Sequence, residues 1–218
     1  MHFIDKLKIK YYHHKRAKIF EGNSPRVQGW HSLAAQQNRF QALCQPLDLI
    51  NKSILDLGCG YGDLKRYIDK LNSQQLASSH NISSYIGIDQ HNAFIKSARL
   101  QFLRTANTEF INADFSNMTL PKVDIVMASG SLNYYCREKD YLHKLIIAMY
   151  KSAHYAVAFN LLDNRYFTSS KFLIAHEPQE ILEFCRLICV NSQLIDHYEN
   201  NDFTIIMKRE KSPLNGCI

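Results

Sequence analysis

The chain has 218 residues, 46% of them apolar and 21% charged, with a formal net charge of +6. That is the make-up of an ordinary globular protein with room for one substantial core, and it excludes a disordered or fibrous chain. No apolar run reaches the roughly 20 residues that a membrane-spanning helix needs, and the opening MHFIDKLKIKYYHH has no apolar export segment, so a cytoplasmic protein is expected. The six cysteines are scattered, which suits reduced thiols. Cys185 and Cys189 stand four apart without a second pair or a suitably spaced histidine, so no metal is expected. The charge is uneven: Lys6, Lys8, Lys10, Lys15, Arg16 and Lys18 face Asp5 alone within residues 1–20. Such an arm either meets RNA or another anionic partner or is a solvated helix, and the sequence leaves both open.

In chain order, residues 1–31 mix polar, basic and aromatic types and end in a turn-like EGNSPRVQGW. From Ser32, SLAAQQNRFQALCQPL reads as a helix with Leu33, Phe40, Leu43 and Cys44 on one side, closed by Pro46. KSILDL (52–57) is a short apolar strand. YGDLKRYIDKL (61–71) follows as an amphipathic helix, with Leu64, Tyr67, Ile68 and Leu71 at helical spacing. A polar surface loop over 72–84 leads to the strand YIGI (85–88), and then to a helix over 92–104 with Phe94, Ile95, Ala98 and Phe102 inward.

Strands are expected at 108–113, 123–130 and 155–162, with helices at 141–153 and 178–188. The end differs: SQLIDHYENNDFTIIMKR (192–209) is two β-prone runs around ENND, a hairpin signal. Alternating strands and helices predict an α/β fold, a doubly wound and mostly parallel sheet covered on both faces, with the hairpin as an antiparallel edge.

Ligands of such sheets bind beyond the carboxyl ends of the strands, where strand order reverses. The first strand, its turn and its helix fall there: SILDL, GCGYG, DLKRYIDKL. Glycines at 58, 60 and 62 permit unusual backbone angles and bring main-chain N–H groups close to a ligand. Asp56 could accept from a cationic group. Asp89, closing YIGID, could take two ribose hydroxyls, and Asp114, in NADF, an adenine amino group. Three acids at adjacent strand ends outline a pocket for a neutral or cationic adenosine compound. An NAD site would show G-x-G-x-x-G, and this turn is G-x-G-x-G.

The motifs ILDLGCGYGDL, YIGID and FINADF resemble those of the seven-stranded, Rossmann-like class I S-adenosylmethionine-dependent methyltransferases, whose D-x-G-x-G-x-G stands here as Asp56, Gly58, Gly60 and Gly62. The resemblance covers residues 50–209 as a methyltransferase domain, leaving 1–49 as a helical extension or lid and 210–218 as a tail. It implies S-adenosylmethionine as cofactor, with S-adenosylhomocysteine as product. The glycine turn of Gly58, Gly60 and Gly62 would hold the methionine part, with Asp56 near its ammonium group, Asp89 on the ribose, Asp114 near the adenine and Ser129 facing the sulfonium; Cys59, Gln90 and Phe115 complete the cofactor-binding set.

The extension is similar, through Gly29-Trp30, Gln36 and Arg39-Phe40, to that of bacterial small-molecule methyltransferases. This implies that Trp30 or Arg39 lines the pocket; alternatively Trp30 and Phe40 are plain core and Arg39 a surface charge.

Methyl transfer needs alignment in a dry pocket more than it needs a base. Candidate bases are His31, His13 and Tyr134. Candidate acceptor contacts are Trp30, then Asn133, Tyr134 and Tyr135 after the fourth strand, and Arg165, Tyr166 and Phe167 beyond the fifth, a set suited to an aromatic or carboxylate-bearing metabolite. SLNYY (131–135) does not match [DN]-P-P-[FY], the sequence of amino-methyltransferases acting on nucleic-acid bases. A small-molecule acceptor is therefore expected ahead of RNA, and a donor-binding domain without catalysis is the remaining alternative. The oligomeric state is not legible.

Overall fold

The computed structural model describes residues 1–20, 25–74, 81–199 and 201–210. Parts of the expected 21–30 turn, the 72–84 loop, ENND and the tail lie outside them, as does Cys217. Three helices, α1 (Phe3–Ile19), α2 (Pro25–Gln28) and α3 (Leu33–Cys44), precede the first strand. Then follow β1 (Ser53–Leu57), α4 (Asp63–Gln74), β2 (Ser84–Asp89), α5 (Asn92–Gln101), β3 (Thr108–Asn112) and β4 (Val123–Ala128). The chain continues through α6 (Tyr141–Ser152), β5 (Ala153–Asp163), β6 (Ala175–His176), α7 (Pro178–Ile188), β7 (Ser192–Ile195) and β8 (Asp202–Lys208). Short 3-10 turns at Phe115–Asn117 and Ser131–Asn133 follow β3 and β4. No helix among the described residues is long and apolar enough to cross a membrane.

The strands form one sheet in the order β3-β2-β1-β4-β5-β8-β7, with two-residue β6 pairing onto the end of β5. Every pairing is parallel except those of β8 with β5 and β7, so the terminal hairpin supplies the antiparallel edge. Side chains alternate along each strand, and both faces are covered. Ile54 of β1 joins Phe40, Leu43, Leu64, Ile68 and Ile95 of α3, α4 and α5. Leu55 and Leu57 join Leu145, Met149, Ile181 and Cys185 of α6 and α7. Double coverage is why the strands read as near-continuous apolar runs. Strand order reverses at β1, which has β2 on one side and β4 on the other.

Two expectations change. Leu33 does not share the buried side of α3; it is 56% exposed, while Ser32 caps the helix by accepting from the Ala35 amide at 3.0 Å. And residues 3–19, whose alternatives were an anion-binding arm and a solvated helix within the helical extension, are a 17-residue helix with a buried face. Its buried face is Asp5, Ile9 and His13, at i, i+4 and i+8, so its helical period is carried by one apolar and two polar residues. A hydrophobic pattern search cannot see that face.

Candidate functional site

The carboxyl ends of β1, β2, β3 and β4 open into a cavity of about 230 Å³, walled on the far side by α1 and the segment around α2 and α3. The floor is the glycine turn. Gly58 has φ +79°, and a Cβ there would sit 2.2 Å from the Ser131 Cβ, so the turn after β1 and the turn after β4 touch with no room for a side chain. Gly62, at φ +80°, backs onto Phe102 and Phe110 and serves packing rather than the cavity.

The turn offers space, and four of its five amides are engaged within the protein. The Gly58 and Cys59 amides both donate to the Ile88 carbonyl, at 2.7 and 3.2 Å, Gly60 donates to Asp89 at 3.1 Å, and Gly62 to Cys59 at 2.9 Å. The expectation that these amides reach a ligand is therefore not met. Among the residues assigned to a cofactor, Gly58, Gly60, Asp89, Gln90, Asp114, Phe115 and Ser129 lie on the cavity wall. Asp56, Cys59 and Gly62 do not. Asp56 belongs to the β1 face covered by α3 and α4, is 2% exposed, and accepts the Tyr85 hydroxyl. Burial raises Asp56 to about 7, with the nearby Asp89 and Asp63 carboxylates adding to the rise and the Tyr85 hydrogen bond opposing it.

Asp89 ends β2 and is braced by the amides of Gly60 and, at 2.7 Å, His91; burial raises it to about 6 against those bonds. Asp114 caps the turn after β3, accepting the Ser116 amide at 3.0 Å and hydroxyl at 2.6 Å. It also pairs with Lys6 of α1. Its carboxyl lies below the usual range because the Lys6 and Ser116 hydrogen bonds outweigh its burial. Ser129 donates to Asn160 Oδ1 at 2.8 Å, and Asn160 in turn donates to Thr204 at 2.6 Å.

The roof is built from side chains that sequence pattern only partly flagged. His13 is 7% exposed, with Nδ1 3.3 Å from the Val27 carbonyl and Nε2 2.8 Å from the Tyr134 hydroxyl. Trp30 lies against Gly130, and the Arg39 guanidinium stacks 4.7 Å from the Trp30 ring centroid. Arg39 is buried and paired with Asp202 of β8, so it is neither a surface charge nor a free cation. Gln28 and Gln36 both donate to Asp63 at the start of α4, tying α2 and α3 to the glycine turn.

Of the acceptor candidates, Trp30, Asn133 and Tyr134 line the cavity, and His31 lies on its exposed rim. Asn133 is 4% exposed and its Oδ1 accepts the Leu162 amide at 2.9 Å, a structural bond. Tyr135, Arg165 and Tyr166 are not on the wall. Arg165 pairs with Asp163 and Asp196, and Tyr166 is 58% exposed. Phe167, one residue on, is on the wall, as are Lys10, Tyr12, His91 and Phe94, which no motif identified.

Comparison with known proteins agrees with this geometry. A family model described as a methyltransferase domain matches residues 54–152. The Mycobacterium tuberculosis protein Rv1506c, provisionally named a methyltransferase, is 27% identical over 166 residues, which span 72% of this chain and 93% of that protein. Among solved structures, magnesium protoporphyrin IX methyltransferase (ChlM) from Synechocystis PCC 6803 with bound SAM superposes with a TM-score of 0.66 at 14% identity, covering 96% of this chain and 99% of that one. The DhpI–SAH complex gives a TM-score of 0.66 at 16% identity, covering 95% and 98%. Residues 54–152 thus match a methyltransferase-domain family model, and the glycine turn, the strand order and the solved structures give the chain the Rossmann-like fold of S-adenosylmethionine-dependent methyltransferases.

Proposed function

We propose that the protein transfers a methyl group from S-adenosylmethionine to a small-molecule acceptor. The observation that carries this reading is Asp89. It is a carboxylate at the end of the strand beside the glycine turn, braced by two main-chain amides and on the wall of the cavity. A carboxylate held this way accepts a pair of ribose hydroxyls. Gln90 and Phe115 stand beside it on the adenosine side; Gly58, Gly60 and Ser129 border the methionine side. Asp56 and Cys59 support the turn from below, and Gly62 sets its packing. When bound, the donor supplies a methyl group already activated by a positive sulfur, so the protein's task is alignment and exclusion of water.

Two features favour a small acceptor. The cavity is closed over by α1, which is fastened at three points: Lys6 to Asp114, Asp5 to Arg137 and His13 to Tyr134. And the basic arm's Lys6 is committed to Asp114 rather than presented outward. One protein of similar fold points the same way: ChlM is by name a methyltransferase of magnesium protoporphyrin IX, a small molecule.

The test is incubation of the protein with methyl-labelled donor and a cell extract, followed by separation into small-molecule, RNA and protein fractions. Label in the small-molecule fraction is the expected result. Label in RNA would assign Lys8, Lys15 and Lys18, which are exposed on α1, to substrate binding and would overturn the small-molecule reading.

A further inference from the structure

The cavity wall after β4 carries three hydroxyl groups, on Ser129, Ser131 and Tyr134. Each directs its hydrogen away from the cavity. Ser129 donates to Asn160 Oδ1 at 2.8 Å, and the Asn160 amide nitrogen is itself committed to Thr204, which fixes that oxygen as the acceptor. Ser131 donates to the Leu57 carbonyl at 2.5 Å. The direction at Tyr134 follows from His13. A carbonyl only accepts, so the Val27 contact places the imidazole proton on Nδ1. Burial, with Arg16 and His91 nearby, lowers His13 to about 4, so the ring is neutral at any ordinary pH and Nε2 holds a lone pair. The Tyr134 hydroxyl, 2.8 Å from Nε2, must therefore be the donor.

With their hydrogens engaged, these oxygens offer the cavity lone pairs alone. The same cavity is lined by the apolar Leu162, Phe167 and Leu173, and by Tyr12, whose ring carries a hydroxyl of its own. We propose that these three acceptor oxygens select a small aromatic methyl acceptor bearing a hydroxyl, whose hydrogen is received by Tyr134, with His13 as the positioning residue that keeps Tyr134 an acceptor. The inference rests on the methyltransferase reading and names the acceptor class for that same cavity. A compound with the same body but no hydrogen to donate would face an oxygen lone pair it cannot satisfy, and would leave the wall unpaired.

Phenol and anisole make the comparison, since they share a ring and differ in the donated hydrogen. Both would be titrated by ligand-observed NMR into protein saturated with S-adenosylhomocysteine, after calorimetry has confirmed that the nucleoside binds. Phenol is expected to bind about tenfold more tightly than anisole, the worth of one hydrogen bond of this kind. In Tyr134→Phe the preference should vanish while anisole affinity is kept. In His13→Phe it should shrink, and in His13→Gln, where the side chain retains an acceptor, part of it should return.

Equal affinities in the unaltered protein, a preference that survives Tyr134→Phe, or failure of both compounds to bind would each overturn the proposal. Failure of S-adenosylhomocysteine to bind would instead remove the methyltransferase reading. The phenol and anisole titration of the free protein would then still decide whether the wall selects a hydroxyl.

Discussion

The floor and the roof of the cavity are built by opposite means. On the floor, polar groups are absorbed by the backbone: the Gly58 and Cys59 amides by the Ile88 carbonyl, Asp89 by the Gly60 and His91 amides, Asp114 by the Ser116 amide. On the roof they are absorbed by other side chains: Arg39 by Asp202, Lys6 by Asp114, Gln28 and Gln36 by Asp63, His13 by Tyr134. Backbone-anchored geometry tolerates only certain residues at fixed spacing, and so leaves a motif. Side-chain pairs across distant parts of the chain leave none. The floor should therefore fail through backbone strain, and the roof through loss of single partners.

The largest effect is expected in the roof. Arg39→Met leaves the Asp202 carboxylate buried at 1% exposure without its cation, and breaking a buried pair in this way costs about 3–5 kcal/mol. Urea unfolding at neutral pH would measure it. Burial already holds Asp202 above its ordinary value, against the pull of Arg39, so the deficit should narrow at low pH, where the lone carboxyl is protonated. A deficit below about 1 kcal/mol would mean that this pair does not hold α3 to the sheet.

Gly62→Ala tests the floor. The added Cβ lies 2.8 Å from Phe102 and 2.9 Å from Phe110, on a residue at φ +80°, and overpacking with strain of this kind costs about 1–3 kcal/mol. The same unfolding experiment should show the loss, and unchanged stability would show the two rings yielding freely.

A smaller effect concerns pH. Asp56 is raised from 3.8 to about 7 in the folded protein, so the fold binds a proton that the unfolded chain releases between those values. The associated stability is fully present below about pH 4 and is lost as pH rises through about 7. Asp56→Asn should flatten that part of the stability profile. A profile identical to that of the unaltered protein would mean that Asp56 is ionised throughout. Smallest of all, Lys6→Ala removes a partly exposed pair with Asp114 and should change stability by no more than about 1 kcal/mol. A larger loss would make that contact the main fastening of α1.

What was legible follows the same division. SILDLGCGYGDL announced the first strand, the turn and the helix because three glycines at alternate positions answer to three positive φ angles and three close approaches. The apolar periods of α5 and α7 were legible because Phe94, Ile95 and Ala98, and Ile181 and Cys185, are buried in the core. Asp56 was misplaced because alternation within a strand was not applied to it; its side chain follows Ile54 to the covered face, not the open end. Arg165 and Tyr166 were placed in the cavity from their position after β5, but Asp163 captures the arginine two residues away and turns it out. The helical character of α1 was open to sequence reading but its buried face was not, because that face is Asp5, Ile9 and His13, and what fixes it lies at Arg137, Val27 and Tyr134.

The most direct test is calorimetric titration of S-adenosylhomocysteine into the protein and into Asp89→Ala, with thermal unfolding to confirm that both are folded. The account predicts saturable binding to the unaltered chain and a loss of about 100-fold in the variant, the worth of two charge-assisted hydrogen bonds. No binding to the unaltered chain, or equal binding to both proteins, would contradict it.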